Sequence, residues 1–235
     1  MNLILLLPGD LLAPDRAWLT GRRLAHVREV HRAGVGDDLA VGLLDGPMGR
    51  GRVLRLDGEA LELALALDQP PPPKLPLTLL IALPRPKALN RVVAAAASLG
   101  VARLVLLNAW KVEKAYWASP KMKPENLREQ MLLGLEQAKD TVLPDLRLAR
   151  LFRPFVEGEL PGLLAGGTGL LAHPGLGEAA PKALVAPITL AIGPEGGWIE
   201  AEVQSLIRVG LQPLDLGPRI LRTETALAAM VGKIF

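Results

Sequence analysis

Four consecutive prolines, Pro70 to Pro73, lie within Asp68-Gln69-Pro70-Pro71-Pro72-Pro73-Lys74-Leu75-Pro76 and divide the chain. Prolines lack the backbone N–H donor, and a run of them favours the extended polyproline II form, so this stretch joins neither a sheet nor a helix. Residues 69–76 therefore read as a linker between a first domain at 1–68 and a second at 77–235. The 235 residues are enough to bury two modest cores.

Before the prolines, short apolar or alternating runs are broken by Gly34-Val35-Gly36-Asp37-Asp38, Asp45-Gly46-Pro47, Gly49-Arg50-Gly51 and Asp57-Gly58. That is the pattern of a small β-barrel. It predicts strands at 1–7, 39–44, 51–56 and 60–67, with a short helix at 22–30. After the prolines the period changes. Strands are predicted at 77–83, 103–107, 147–151, 169–173, 188–192 and 214–216, and helices at 87–99, 125–139, 155–164, 200–209 and 224–234. Such alternation argues a parallel sheet covered by helices on both faces, an α/β fold.

Composition narrows the function classes. The start, Met1 to Leu7, is apolar but has no basic segment before it and runs into Pro8-Gly9-Asp10, which favours a first strand over a secretory signal. No apolar run reaches the length of a membrane span. With no cysteine and only three histidines, a metal site is not expected, and a cytoplasmic location fits. The net charge is +3, but it is unevenly spread: residues 1–73 hold eight basic and ten acidic side chains, 74–150 thirteen and six, and 151–235 six and eight. The basic middle suits a polyanion, or is a solvated surface.

Two loops carry the chemistry. Ile192-Gly193-Pro194-Glu195-Gly196-Gly197-Trp198 and Leu216-Gly217-Pro218-Arg219-Ile220-Leu221-Arg222-Thr223-Glu224-Thr225-Ala226 each follow a predicted strand and precede a predicted helix. Ligands of open α/β sheets bind at such loops. The glycines let backbone amides and carbonyls approach a ligand, but neither segment has the Gly-Lys-Ser/Thr ending of a P-loop or the glycine spacing of a dinucleotide fingerprint.

This pairing of motifs resembles the SPOUT (α/β-knot) RNA methyltransferases, and within them the family of ribosomal RNA small subunit methyltransferase E. The resemblance implies a C-terminal trefoil-knot domain, a homodimer, S-adenosylmethionine as cofactor, and methyl transfer to N3 of a uridine in 16S ribosomal RNA. It implies a cofactor site at Leu171, His173, Pro174, Gly193, Pro194, Gly196, Gly197, Leu216, Gly217, Ile220, Leu221, Thr225 and Ala226. The stretch His26, Val30, His31, Arg32, Gly34, Gly36, Asp37 and Asp45-Gly46 resembles the PUA-like RNA-binding domain of the same family.

An imide anion forming at uridine N3 calls for a cation, for which Arg222 is the first choice and Arg219 the second. Glu195 and Glu224 are alternatives for the base. Candidate RNA contacts are Arg22, Arg23, Arg28 and Arg32 in the first domain, Arg85 and Lys87 where the family places RNA-facing residues, Lys111 and Lys114 interleaved with Trp110, Tyr116 and Trp117, and Arg219. The chain departs from the family pattern at 94–98, where alanines precede Leu99-Gly100, and at 138–140. Those departures leave open another RNA target, or a non-catalytic RNA binder.

Overall fold

The computed structural model describes residues 2–175 and 184–235; Met1, counted above with the first strand, lies outside the described residues. The chain forms two compact units. One contains the chain up to Pro73 together with Leu132–Leu143, and the other contains Lys74–Met131 and Pro144–Phe235.

The first unit is a six-stranded sheet of β1 (Ile4–Leu6), β2 (Leu11–Ala13), β3 (Arg16–Leu19), β4 (Asp38–Leu43), β5 (Met48–Leu56) and β6 (Leu61–Gln69), in the order β1-β4-β5-β6-β3-β2. Only β1 with β4 is parallel. One face is dry: Leu39, Val41, Val53, Leu61 and Leu63 alternate inward and pack with Ile4, Leu6, Leu19, Leu24 and Val27. Helix α1 (Gly21–His26) continues as a wider turn, Val27–His31, which Arg32 stops by taking a left-handed φ of 52°. Of the residues that resemble a PUA-like domain, His26, Val30 and His31 are helical and two aspartates hold turns: Asp37 accepts the Gly34 amide at 2.7 Å, and Asp45, also left-handed, accepts the Leu143 amide at 3.1 Å.

Residues 132–143 are knitted into this unit. The Glu136 carbonyl accepts the amides of Asn2 and Leu3, and Thr141 Oγ1 donates to the Gly46 carbonyl at 2.6 Å. The departure at 138–140 thus falls in the first unit, where Asp140 is buried and accepts the Val142 amide.

The second unit is built on a parallel six-stranded sheet. In chain order it runs β7 (Leu75–Ala82), α2 (Pro86–Ser98), β8 (Val101–Leu107), α3 (Lys114–Trp117), α4 (Pro124–Ala138, whose end belongs to the first unit) and β9 (Asp145–Ala149). It continues through α5 (Phe152–Pro154), a wide turn Phe155–Glu159, α6 (Leu160–Leu164), β10 (Thr168–Ala172), β11 (Ile188–Ile192), α7 (Glu200–Arg208), β12 (Leu211–Leu214) and α8 (Thr223–Ile234). Strand order is β12-β10-β11-β7-β8-β9, parallel throughout. Every residue of β11 is buried, as a central parallel strand requires. In α2, Ala96 and Ala97 are fully buried beside Val92 and Val93, so those two alanines of the 94–98 run are core packing, while Ala94, Ala95 and Ser98 are half-buried.

β12 lies outside β10, yet α8 packs against α2 and β11, so the chain returns from the sheet edge to its middle. Such a return is what the resemblance to the α/β-knot family leads one to expect.

The linker expected at 69–76 shrinks to 70–74, because Gln69 ends β6 and Leu75 and Pro76 begin β7. Two expected strands move. The strand expected at 147–151 is Asp145–Ala149, because Asp145 pairs with Arg103 of β8 at 2.7 Å and Leu151 already faces solvent. The strand expected at 214–216 is Leu211–Leu214, because Asp215 turns the chain with its own side chain. β2 and β3 were not expected; they are short, and the Pro-Gly and Ala-Pro-Asp steps beside them read as loop.

Candidate active site

A cavity of about 370 Å³ opens at the C-terminal ends of β10, β11 and β12. Its size is that of a small-molecule site, and the position is where open α/β sheets bind ligands. Three loops build it.

In the loop after β11, the Gly197 amide donates to the Pro194 carbonyl at 2.7 Å, and Gly197 holds a φ of 72° that a side chain would strain. The Trp198 indole, 5% exposed, lies on Gly193, where an added Cβ would come within 3.1 Å of the ring. Lys111 Nζ donates to the Gly196 carbonyl at 2.6 Å and lines the cavity.

The loops after β10 and β12 are tied together by Asp215. Its carboxylate accepts the amides of Gly175 at 2.9 Å and Gly217 at 2.8 Å, and its carbonyl accepts from Lys233 Nζ at 3.1 Å. Both glycines have positive φ. The Gly175 amide first, then Gly217, hold the Asp215 carboxyl below the usual aspartate range. Asp215 was missed from the sequence. Its signal was an aspartate two residues before a glycine, the side-chain turn that Asp makes with a following amide.

Of the expected cofactor residues, His173, Pro174, Gly193, Pro194, Gly196, Gly197, Leu216, Gly217, Ile220, Leu221 and Ala226 line the cavity. Leu171 does not: its side chain is fully buried in the middle of the sheet. Thr225 faces solvent on the outside of α8, whereas Thr223, not singled out before, is 4% exposed and does line the cavity. His173 Nδ1 and Trp198 Nε1 are buried without a hydrogen-bond partner among the described residues. Two unsatisfied polar atoms in one apolar cavity mark a place for a polar ligand.

The charged candidates separate. Arg219 and Glu195 line the cavity. Glu195 Oε1 accepts the backbone amide of Arg85 at 3.0 Å, at the N-terminus of α2 where Lys87 also stands. Arg222 caps α8 with its backbone carbonyl, and its exposed side chain is not part of the cavity wall. Glu224 pairs with Arg91 at 3.1 Å, and its own backbone amide, then Arg91 and Arg222, hold its carboxyl low.

In the first unit the expected row of free arginines is broken up. Arg23 makes a two-pronged bond to Asp10 and donates to the Leu5 carbonyl at 2.8 Å. Arg22 grips the buried carboxylate of Glu136 at 2.9 and 3.0 Å. Arg28 and Arg32 remain exposed. Among the described residues, no helix is long and apolar enough to cross a membrane and no group of His, Asp or Glu is placed to hold a metal.

Parallel sheet, return crossing and three-loop cavity define the class, and a family model described as an RNA methyltransferase domain matches residues 71–234. Ribosomal RNA small subunit methyltransferase E of Synechocystis is 33% identical over 224 residues, covering 92% of this chain and 71% of the relative. That of Treponema pallidum is 29% identical over 216 residues, covering 88% and 80%. The chain belongs to the ribosomal RNA small subunit methyltransferase E family. A solved structure of that name from Neisseria gonorrhoeae, bound to S-adenosyl methionine, shares the fold with a TM-score of 0.78 at 21% identity, covering 100% of this chain and 96% of the other.

Proposed function

We propose that the protein methylates N3 of a uridine in the RNA of the small ribosomal subunit, using S-adenosylmethionine held in the three-loop cavity. The observation that carries this is the cavity itself, ligand-sized and with His173 Nδ1 and Trp198 Nε1 unsatisfied in its wall, in a chain of this family. Leu214, Leu216, Ile220 and Met230 give it an apolar side for a purine, and the glycine loops give it backbone polar groups for the purine edge and the amino-acid end. When bound, S-adenosylmethionine supplies an electrophilic methyl group and leaves as the neutral thioether.

The protein's own residues have three tasks. The loops hold the acceptor nitrogen in line with the methyl and keep water out. Arg219, the guanidinium in the cavity wall, stabilises charge on the uracil carbonyls as the N3 proton leaves; Arg222, one helix cap away, supports it at longer range. Glu195, in the wall, takes the proton directly or through water. Glu224 is the weaker candidate, since a carboxyl held low by an amide and two arginines is a poor base. The uridine must be unpaired to expose N3.

The protein works in the cytoplasm as a homodimer in this reading. Ile220, 87% exposed, and Phe235, 52% exposed, flank α8 with apolar surface suited to a second copy. Light scattering on the purified protein measures that directly.

The deciding experiment is nucleoside mass spectrometry of 30S subunits from a strain lacking the protein, after incubation with purified protein and labelled S-adenosylmethionine. Label in 3-methyluridine is the expected result. Label in another base or in a ribose 2′-O-methyl group would overturn the acceptor, and no label on any RNA would leave a binding protein.

A further inference from the structure

Among Trp110, Tyr116 and Trp117, two rings are already engaged. Trp117 Nε1 donates to Asn108 Oδ1 at 2.8 Å with the Arg150 guanidinium over its face, and the Tyr116 hydroxyl donates to Glu113 at 2.9 Å. Trp110 is different: 79% of it is exposed. Its backbone is nevertheless fixed, because the Trp110 amide donates at 2.7 Å to Glu202 Oε1, a carboxylate 6% exposed whose other oxygen accepts the Ile199 amide at 3.1 Å. An indole held out on a pinned backbone is a stacking surface with little left to order.

Trp110 forms the rim of a second groove, about 720 Å³, lined also by Phe152, Lys114, Arg153 and Arg208. Three bases, Lys114, Arg153 and Arg208, face two acids, Glu157 and Glu202, so the groove is positive on balance. Arg153 is paired with Glu157 at 2.8 Å and the Glu202 oxygens are taken by two backbone amides, which leaves Lys114 and Arg208, both exposed and without an ion-pair partner among the described residues, as the cations open to a phosphate. The groove lies next to the cavity: the centroid of the Phe152 ring, which lines the groove, is 6.1 Å from that of the Trp198 ring, which lines the cavity, and Trp110 on the groove adjoins Lys111 on the cavity.

We infer that this groove holds a single-stranded nucleotide flanking the methylated one, with its base stacked on Trp110 and its phosphate on Lys114 and Arg208. The inference rests on the methyltransferase reading above and adds the track along which the RNA enters. Stacking on an aromatic is tolerant of base identity, so the groove contributes affinity and register rather than base choice. The pairing of an apolar ring face with two free cations fits an unpaired RNA strand better than a duplex, whose bases are covered.

The test compares wild type with Trp110→Ala, Trp110→Tyr and Arg208→Gln by fluorescence anisotropy with a labelled single-stranded oligoribonucleotide, alongside S-adenosylmethionine titration by calorimetry. Trp110→Ala is expected to weaken RNA binding roughly tenfold, the size of one lost stacking contact, while Trp110→Tyr retains most of it. Arg208→Gln is expected to weaken binding and to lower the salt slope by about 0.7, the value for one phosphate on a single strand. Cofactor affinity should be unchanged in all three. RNA affinity unchanged in Trp110→Ala, with cofactor binding and 30S methylation intact, would overturn the groove alone. Failure of the wild-type protein to bind the oligoribonucleotide while it methylates 30S subunits would likewise overturn the groove alone, whereas failure to transfer methyl to any RNA would overturn the methyltransferase reading and the groove with it.

Discussion

Arg22 and Arg23 of the first unit and the arginines around the cavity of the second have opposite surroundings. Arg23 and its partner Asp10 are 16% and 13% exposed, and Arg22 closes over a Glu136 side chain that is 3% exposed. These guanidinium groups are consumed in holding β1, α1 and residues 132–143 together. Arg219 and Arg222, by contrast, stand exposed on the turn that leads into α8. The same residue type therefore serves architecture in one place and is left available to an anion in the other. What separates the two roles is whether the fold supplies a carboxylate first, since breaking a partly buried pair strands a charge whereas an exposed cation loses little.

The comparison is broken most sharply by paired variants. Arg219→Ala should lower turnover by a hundredfold to a thousandfold, about 3–4 kcal/mol of transition-state stabilisation, while the melting temperature and cofactor affinity stay at wild type. Arg222→Ala should cost about tenfold, as expected of a cation acting from outside the cavity wall. Single-turnover kinetics on 30S subunits separates them; a larger loss at Arg222 would move the cation's role to the helix cap. Arg23→Ala should do the reverse: about 2–3 kcal/mol of stability lost in urea melts, because Asp10 is left partly buried without its partner. Near-wild-type stability there would mean that Asp10 is satisfied by water and the Leu7 amide alone.

How much of this was legible in the sequence follows from the same distinction. The parallel sheet was legible, because β7, β8 and β11 are mainly apolar runs alternating with helical segments, and so was the position of the cavity, because glycine-rich loops after such strands have few other uses. The partner of each charge was not. Asp10 lies 13 positions from Arg23 and Glu136 lies 114 from Arg22, and no local pattern predicts which carboxylate the fold brings to which guanidinium. Asp215 was hidden for a related reason: it sat inside what read as a strand, and its job is to bridge to Gly175, 40 residues earlier. Leu171 and Thr225 were carried by resemblance at the level of a motif, which does not say which side chains of a strand or helix face the ligand.

Asp215 gives an intermediate effect with a pH signature. Its folded pKa is depressed, so what it contributes is fully present above the ordinary aspartate value of 3.8 and is lost as pH falls through the lower folded value. Cofactor affinity of the wild type should therefore hold down to about pH 4 and fall below it. Asp215→Ala should bind S-adenosylmethionine roughly tenfold more weakly at neutral pH, with two loop amides left unpaired, and should lack that acid step. Calorimetry across pH checks both; an acid step that survives in Asp215→Ala would assign it to another carboxylate.

The smallest expected effect tests the rule from the other side. Arg28 and Arg32 belong to the first unit, yet both are exposed and neither forms an ion pair among the described residues. If availability rather than location decides the role, Arg28→Gln and Arg32→Gln should each change stability by no more than about 0.5 kcal/mol. Each should still weaken RNA binding a few-fold, with a drop in the salt slope of about 0.7 to 0.9 for each phosphate contact removed. Arg32 carries one qualification that the measurement must respect: its left-handed φ means the replacement keeps a strained backbone, and Arg32→Gly should be more stable than Arg32→Gln while binding RNA equally weakly. A stability loss at Arg28 as large as that at Arg23 would show that pairing seen in the fold does not sort structural from binding arginines in this protein.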